Sequence, residues 1–302
     1  MIVAFLAATS GFVGSEAADP LPAYGIRQTT FWNIDMSNWE MSKPRNHLLQ
    51  ALGPRDLDML SGEFEYVWFK RGDMLVSPNE PISYVYFPTA GICSIVALAS
   101  GSNRIEAGVV GREGLVGLAA LLSTDCTPHQ CIVQVDGEGF RIGAERLRGL
   151  MQLNSRLREV LLRYVQVVLI QAEQTALANG RFSIERRLAR WILMCHDRID
   201  GDELNFTHEL LSTMLGVRRP GVTVATHVLE GTKMIRATRG RLTVLNREKL
   251  EEAAGGSYGI PEAEYERLIG PFRAEQADML TTTVRMTRIA PDIPRAPYPH
   301  VS

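Results

Sequence analysis

The hydrophobic period of the chain changes twice, and each change predicts a change of architecture. From about Pro44 to Leu60, apolar residues in NHLLQALGPRDLDML recur at helical spacing. Gly53-Pro54 interrupts them, which predicts two short helices. The period then falls to two. Phe64–Phe69 reads FEYVWF, aromatic and β-branched, and Lys70-Arg71-Gly72-Asp73 is a turn signal. Further strands are predicted at Met74–Val76, Tyr84–Pro88, Ile92–Leu98, Arg104–Val110, Cys131–Val135 and Gly139–Ile142. Short strands at this spacing indicate an antiparallel sandwich or jelly roll rather than a βαβ sheet.

The helical period returns at Ala144 and runs without proline to about Ala178. Leu157, Leu161, Tyr164, Val168, Gln171, Thr175 and Ala178 recur in steps of four and three, the repeat of a coiled-coil seam. A helix of about 25 residues would be roughly 37 Å long, more than a small sheet needs to cover it. The stripe is therefore read as a homodimer seam carried by Leu157, Leu161, Tyr164, Val168 and Gln171. Packing on the chain's own sheet is the alternative. Asn179-Gly180 punctuates the end and predicts a hinge. Arg181–His196 is helical again, with Ile184, Leu188, Trp191, Ile192 and Cys195 on one face.

The next stretch, FTHELLSTMLGVRRPGVTVATHVLEG, carries the chemistry. Thr207 can cap a first helix, and Leu210, Leu211, Met214 and Leu215 form its buried stripe. Gly216 permits the turn, and Pro220 suits the first turn of a second helix. Val222, Ala225 and Leu229 face the core. This is a helix-turn-helix. Two alternating segments, Ile235–Ala237 and Leu242–Leu245, flank Arg239-Gly240 and read as a wing.

Charge supports nucleic-acid binding only locally. The chain has 32 basic and 34 acidic residues, a net −2. Yet Gly216–Arg247 holds Arg218, Arg219, Lys233, Arg236, Arg239, Arg241 and Arg247 against Glu230 alone. Such a concentrated patch is what phosphate binding requires. Arg218 and Arg219 are expected in the major groove, and Thr223, Thr226 and His227 at bases or phosphates further along. Arg239 and Arg241 are expected to hold phosphates. His208 is read as either a backbone contact or a solvated side chain.

Other chemistry finds little support. Cys93, Cys126, Cys131 and Cys195 form no C-x-x-C pair and read as reduced thiols. The six histidines form no H-x-H or H-x-x-x-H pair, so neither a metal site nor a catalytic residue is assigned. No P-loop, Rossmann or G-x-S-x-G pattern is present. No apolar run is long enough for a membrane span.

Taken in order, the pieces resemble the cAMP receptor protein/Fnr (Crp/Fnr) family of bacterial transcription regulators. The resemblance covers Asn46 to Leu250. It rests on FKRGDMLVSPNEPISYVYFPTAGICSIV, VVGREGLVG, the helix-turn-helix and RGRLTVLNRE. It implies an α+β chain of two domains: an antiparallel β-roll of the cyclic-nucleotide-binding type and a C-terminal winged helix-turn-helix, joined by a long dimerisation helix. It implies a cytoplasmic homodimer on palindromic double-stranded DNA, with the β-roll as sensor and RNA polymerase as a further partner. Family members that bind cyclic nucleotides clamp the phosphate with an arginine. Here no arginine lies between Arg112 and Arg141, and His129 is a weak substitute, so no cofactor is assigned and the effector is left unknown. Two other readings stay open: a dimeric sensor that has lost DNA binding, and a cyclic-nucleotide-responsive regulator. The expected divisions are a disordered leader (1–42), the β-roll (43–150), the dimer helix and hinge (151–180), the winged helix-turn-helix (181–252) and a C-terminal extension (253–302). Within the extension a short amphipathic helix is expected around Tyr265, Leu268 and Ile269.

Overall fold

The computed structural model describes residues 45–99 and 103–272. The expected leader and the extension beyond Phe272 lie outside the described residues.

Two small helices, α1 (His47–Gln50) and α2 (Pro54–Ser61), lead into the roll. Its strands are β1 (Glu65–Phe69), β2 (Met74–Val76), β3 (Tyr84–Leu98), β4 (Arg104–Val110) and β5 (Gln130–Gly143). All pairings are antiparallel, in the order β1-β5-β3-β4, with β2 also pairing β5. β3 and β5 each run through a segment that the sequence reading splits into two strands. The Gly and Pro read as breaks are bends inside one ladder. Gly91 has φ +88°, and a Cβ there would lie 2.8 Å from the Val135 carbonyl oxygen. A Cβ on Gly137 would lie 2.1 Å from that of Ala90. Only glycine lets the two backbones cross this closely, and the register slips there rather than ending.

The helical run after the roll is interrupted at Asn154. That residue is extended (φ −126°, ψ 105°), and its Oδ1 accepts the Leu157 amide at 3.0 Å, capping a new helix. The result is α3 (Ala144–Leu153) and α4 (Ser155–Arg181). The stripe read as a dimer seam faces inward. Leu157, Leu161, Tyr164 and Gln171 are buried in the protomer's own core, and Val168 packs against it. Gln171 binds strand β4: its Oε1 accepts the Val109 amide at 2.6 Å, and its Nε2 donates to the Val109 carbonyl at 3.3 Å. The helix also continues through the expected hinge. Asn179 and Gly180 are helical, and α4 ends only where Phe182 turns extended (ψ 150°), because the Phe182 amide still closes a helical bond to Ala178.

The C-terminal unit comprises α5 (Ile184–His196), β6 (Glu203–Leu204), α6 (His208–Leu215), α7 (Arg219–Gly231), β7 (Ile235–Thr238), β8 (Arg241–Val244), α8 (Arg247–Ala254) and α9 (Ile260–Leu268). Its small sheet has the order β6-β8-β7. The core around α5, with Trp191 edge-on to Phe206 at 4.7 Å, continues into Ile92, Val96 and Val109 of the roll. α9, the expected helix of the extension, turns back onto α4, and the Tyr265 hydroxyl donates to the Glu113 carbonyl at 2.8 Å.

Candidate DNA-binding interface

Local chemistry builds the helix-turn-helix as the sequence requires. The Thr207 hydroxyl accepts the Leu210 amide at 3.2 Å and caps α6. Gly216 takes φ +60°, the left-handed conformation that ends α6 and that a side chain would strain. Arg218 is extended and caps α7, with Pro220 in the first turn, where no amide donor is needed. Val222, Ala225 and Leu229 are buried beneath α7.

The cations expected at the DNA are mostly free to reach it. Arg218 and Arg219 at the start of α7, and Arg239 and Arg241 at the wing, are exposed. Arg241 also pairs with Glu203 at 3.3 Å. Arg247, counted in the patch, is turned inward and holds Asp197 at 2.7 Å. Lys233 and Arg236 are exposed. His227 is exposed, with Nδ1 3.8 Å from Glu230. His208 is half-buried, its Nδ1 3.2 Å from the Thr223 hydroxyl, so it ties α6 to α7. Thr223 is half-buried and donates back to the Arg219 carbonyl at 3.2 Å.

Thr226 does not belong to the interface. It is fully buried, one turn from Val222 on the inner face of α7, and its hydroxyl has no partner among the described residues. An unpartnered buried hydroxyl costs about 1–3 kcal/mol. Thr226→Val, which keeps the shape, is therefore expected to raise the melting temperature and leave DNA affinity unchanged. A loss of affinity in a titration of the folded variant would return Thr226 to the interface. Sequence reasoning also missed Val224 and Val228, which are exposed on the outer face of α7. The signal was available: Val224 and Val228 are four apart, and neither shares the inward stripe of Val222, Ala225 and Leu229.

The C-terminal unit is docked on the roll through buried polar groups. Glu106 of β4 accepts from the Ser94 hydroxyl at 2.5 Å and from the Trp191 indole at 2.6 Å. Burial raises its carboxyl to about 7, although both hydrogen bonds and the nearby Arg190 and Arg198 pull it down. The folded chain thus holds a proton that an ordinary glutamate, near 4.5, has released. Glu106 stabilises the fold most below its unfolded value, and that contribution is lost as pH rises through about 7. Urea midpoints of the wild type should fall from about pH 5 to about pH 8, and those of Glu106→Gln should fall less. Equal slopes would mean that Glu106 titrates normally.

A second link joins the loop after β4 to the end of α5. Glu113 and Arg198 are buried and pair at 2.8 Å, and Arg112 pairs with Asp200 at 2.7 Å. The Arg198 guanidinium also donates to the Met194 carbonyl at 2.6 Å and lies 5.3 Å from the Phe272 ring centroid. The cavity beside them, lined by Glu113, Tyr164, Gln171, Arg198, Glu262 and Phe272, measures about 10 Å³, room for one water.

Comparison with known proteins agrees with this geometry. Residues 66–154 match the sequence model of the cyclic nucleotide-binding domain, and residues 186–253 that of the Crp-like helix-turn-helix domain. The chain belongs to the Crp/Fnr family of transcription regulators. No curated protein matches it. Solved Crp/Fnr folds do. A protein of Eubacterium rectale assigned to the family is 16% identical over 70% of this chain and 99% of its own, with a TM-score of 0.57. FixK2 of Bradyrhizobium japonicum is 17% identical over 64% and 98%, with a TM-score of 0.57. The c-di-GMP-responsive regulator CLP of Xanthomonas campestris is 16% identical over 64% and 99%, with a TM-score of 0.52. At these identities the likeness shows the fold. As a Crp/Fnr regulator the chain carries its DNA-binding helix-turn-helix in α6 and α7. Its roll has a packed interior, in which Val85, Phe87, Leu115, Leu147 and Leu161 are buried.

Proposed function

We propose that the chain works as a cytoplasmic homodimer that binds a two-fold symmetric operator and regulates transcription there with RNA polymerase, the β-roll serving as sensor. The observation that carries this reading is the distribution of free cations. Arg218 and Arg219 project at the start of α7 and Arg239 at the wing, while Val222, Ala225 and Leu229 of α7 and Ile235, Leu242 and Val244 of the wing strands are buried. A module that only dimerised would have no use for this arrangement.

The working divisions are the roll (43–150), the connecting helix (151–180), the reader (181–252) and the extension (253–302). The dimer face is assigned to the outer side of α4. Leu162, Val165, Leu169, Ala172 and Ala176 recur there in steps of three and four, and Leu162 and Leu169 are 40% and 52% exposed. Two recognition helices about 34 Å apart would then enter successive major grooves. The effector is not a cyclic nucleotide in this reading. Glu113 is engaged by Arg198, and no arginine stands in the segment that should clamp the phosphate.

The test is fluorescence anisotropy with DNA from upstream of the chain's own coding region beside a scrambled duplex, across a salt series. Tighter saturable binding to the former, with a steep negative salt slope, is expected. Arg219→Ala should cost about 1–3 kcal/mol and relax preference at one base pair. Arg239→Ala should weaken all duplexes alike and reduce the salt slope by about one. Identical behaviour of the two variants would remove the distinction between reading and positioning. Absence of binding at low salt would defeat the proposal.

A further inference from the structure

The polar groups of α7 are almost all committed before DNA arrives. Beyond its first turn the helix has four: Thr223, Thr226, His227 and Glu230. The Thr223 hydroxyl is taken by the Arg219 carbonyl and His208. Thr226 is buried. Glu230 accepts the Ala237 amide at 3.0 Å and so braces the wing strand β7. Only His227 remains. The outer face instead presents Pro220, Val224 and Val228 to solvent, the two valines 58% and 47% exposed. Valine is a weaker helix former than alanine, lysine or glutamate, so helix stability does not call for it at two unpacked positions. The strip is flanked by Arg218 and Arg219, which suit a polyanion rather than an apolar partner.

The major groove offers an apolar strip one distinctive feature, the 5-methyl group of thymine. We propose that α7 reads its half-site chiefly through thymine methyls seated against Pro220, Val224 and Val228, with hydrogen-bonded base reading confined to His227 and to Arg218 and Arg219 at the start of the helix. This rests on α7 being the recognition helix. The half-site then contains A·T pairs under the middle of the helix and a guanine, if any, under its start. Each methyl removed from water by contact with a valine contributes about fourfold in affinity.

The probe is a duplex enriched from a random pool by the full-length chain, then resynthesised with deoxyuridine in place of thymidine. Uracil pairs as thymine does and lacks only the methyl group. The wild-type chain should bind the uracil duplex at least about sixteenfold more weakly, about fourfold for one methyl in each of the two half-sites. The double variant V224A/V228A, whose exposed positions spare the core and which keeps Pro220, should lose most of the wild type's preference for the thymine duplex while binding the uracil duplex as wild type does. Its melting temperature, matched to wild type, confirms the fold. Equal wild-type affinity for the two duplexes, both above a scrambled control, would overturn the inference and leave the DNA-binding function standing. Discrimination undiminished in V224A/V228A would overturn it as well. Failure to enrich any duplex would overturn the function and this inference together.

Discussion

Arg198→Met is expected to destabilise the full-length chain by about 3–5 kcal/mol, read as a fall in the urea midpoint at constant slope. The reason is the charge left behind. Arg198 and Glu113 are both buried, and the Glu113 carboxylate has two supports, the guanidinium at 2.8 Å and the Gly111 amide at 3.1 Å. Removing the guanidinium strands an anion on a side chain that is almost wholly buried. Burial opposes the charge on Arg198, yet Glu113, Asp197 and Glu262 raise its pKa above the ordinary value, so the arginine stays charged at every working pH. A matched pair of neutral side chains should be tolerated far better than a broken ion pair. The double variant E113Q/R198M should therefore recover most of the loss. If Arg198→Met costs under about 1 kcal/mol, the pair is solvated and does not join roll to reader in solution.

Leu169→Glu is expected to convert the proposed homodimer to a monomer and to lower affinity for a two-half-site duplex by about a hundredfold or more, since the second half-site is then no longer bound intramolecularly. Sedimentation at several concentrations reads the first effect and anisotropy the second. Leu169 is 52% exposed in the protomer, so a charge there costs the monomer little. Leu161→Ala is the companion. Leu161 is fully buried in the stripe of the same helix that packs on the roll, and the substitution should cost about 2–5 kcal/mol of stability with no change in assembly. If Leu161→Ala dissociates the dimer and Leu169→Glu does not, the two faces of α4 have been assigned the wrong way round.

The faces of α4 show why the sequence was legible in some places and not in others. A repeat of four and three shows that one side of a helix is apolar. It cannot show whether the partner is a second copy or the chain's own sheet, because both bury the same residue types. α4 has two such stripes. The one with the larger residues, Leu157, Leu161 and Tyr164, is claimed by the roll, and Gln171 on it closes hydrogen bonds to β4. Likewise, Gly91, Gly137 and Gly139 were visible as glycines. Whether each ends a strand or lets two strands cross depends on which backbone lies opposite.

The succession of a β-rich part and a helical part, the helix-turn-helix with its Thr207 cap and turn glycine, the wing, and the clustering of Arg218, Arg219, Arg239 and Arg241 there were legible in the sequence alone. These depend on neighbours within a few residues: periodicity, a capping hydroxyl, a positive φ. The inward turn of Thr226 and Arg247, the docking of the reader on Glu106, and the Glu113–Arg198 pair were decided only by the tertiary structure. The two buried pairings join residues 85 apart in the chain, and no local pattern records such a separation. Burial of a polar side chain is a property of what folds against it. The exposed valines of α7 fall between the two: their spacing is written in the sequence, and their freedom is known only once nothing among the described residues is found to cover them.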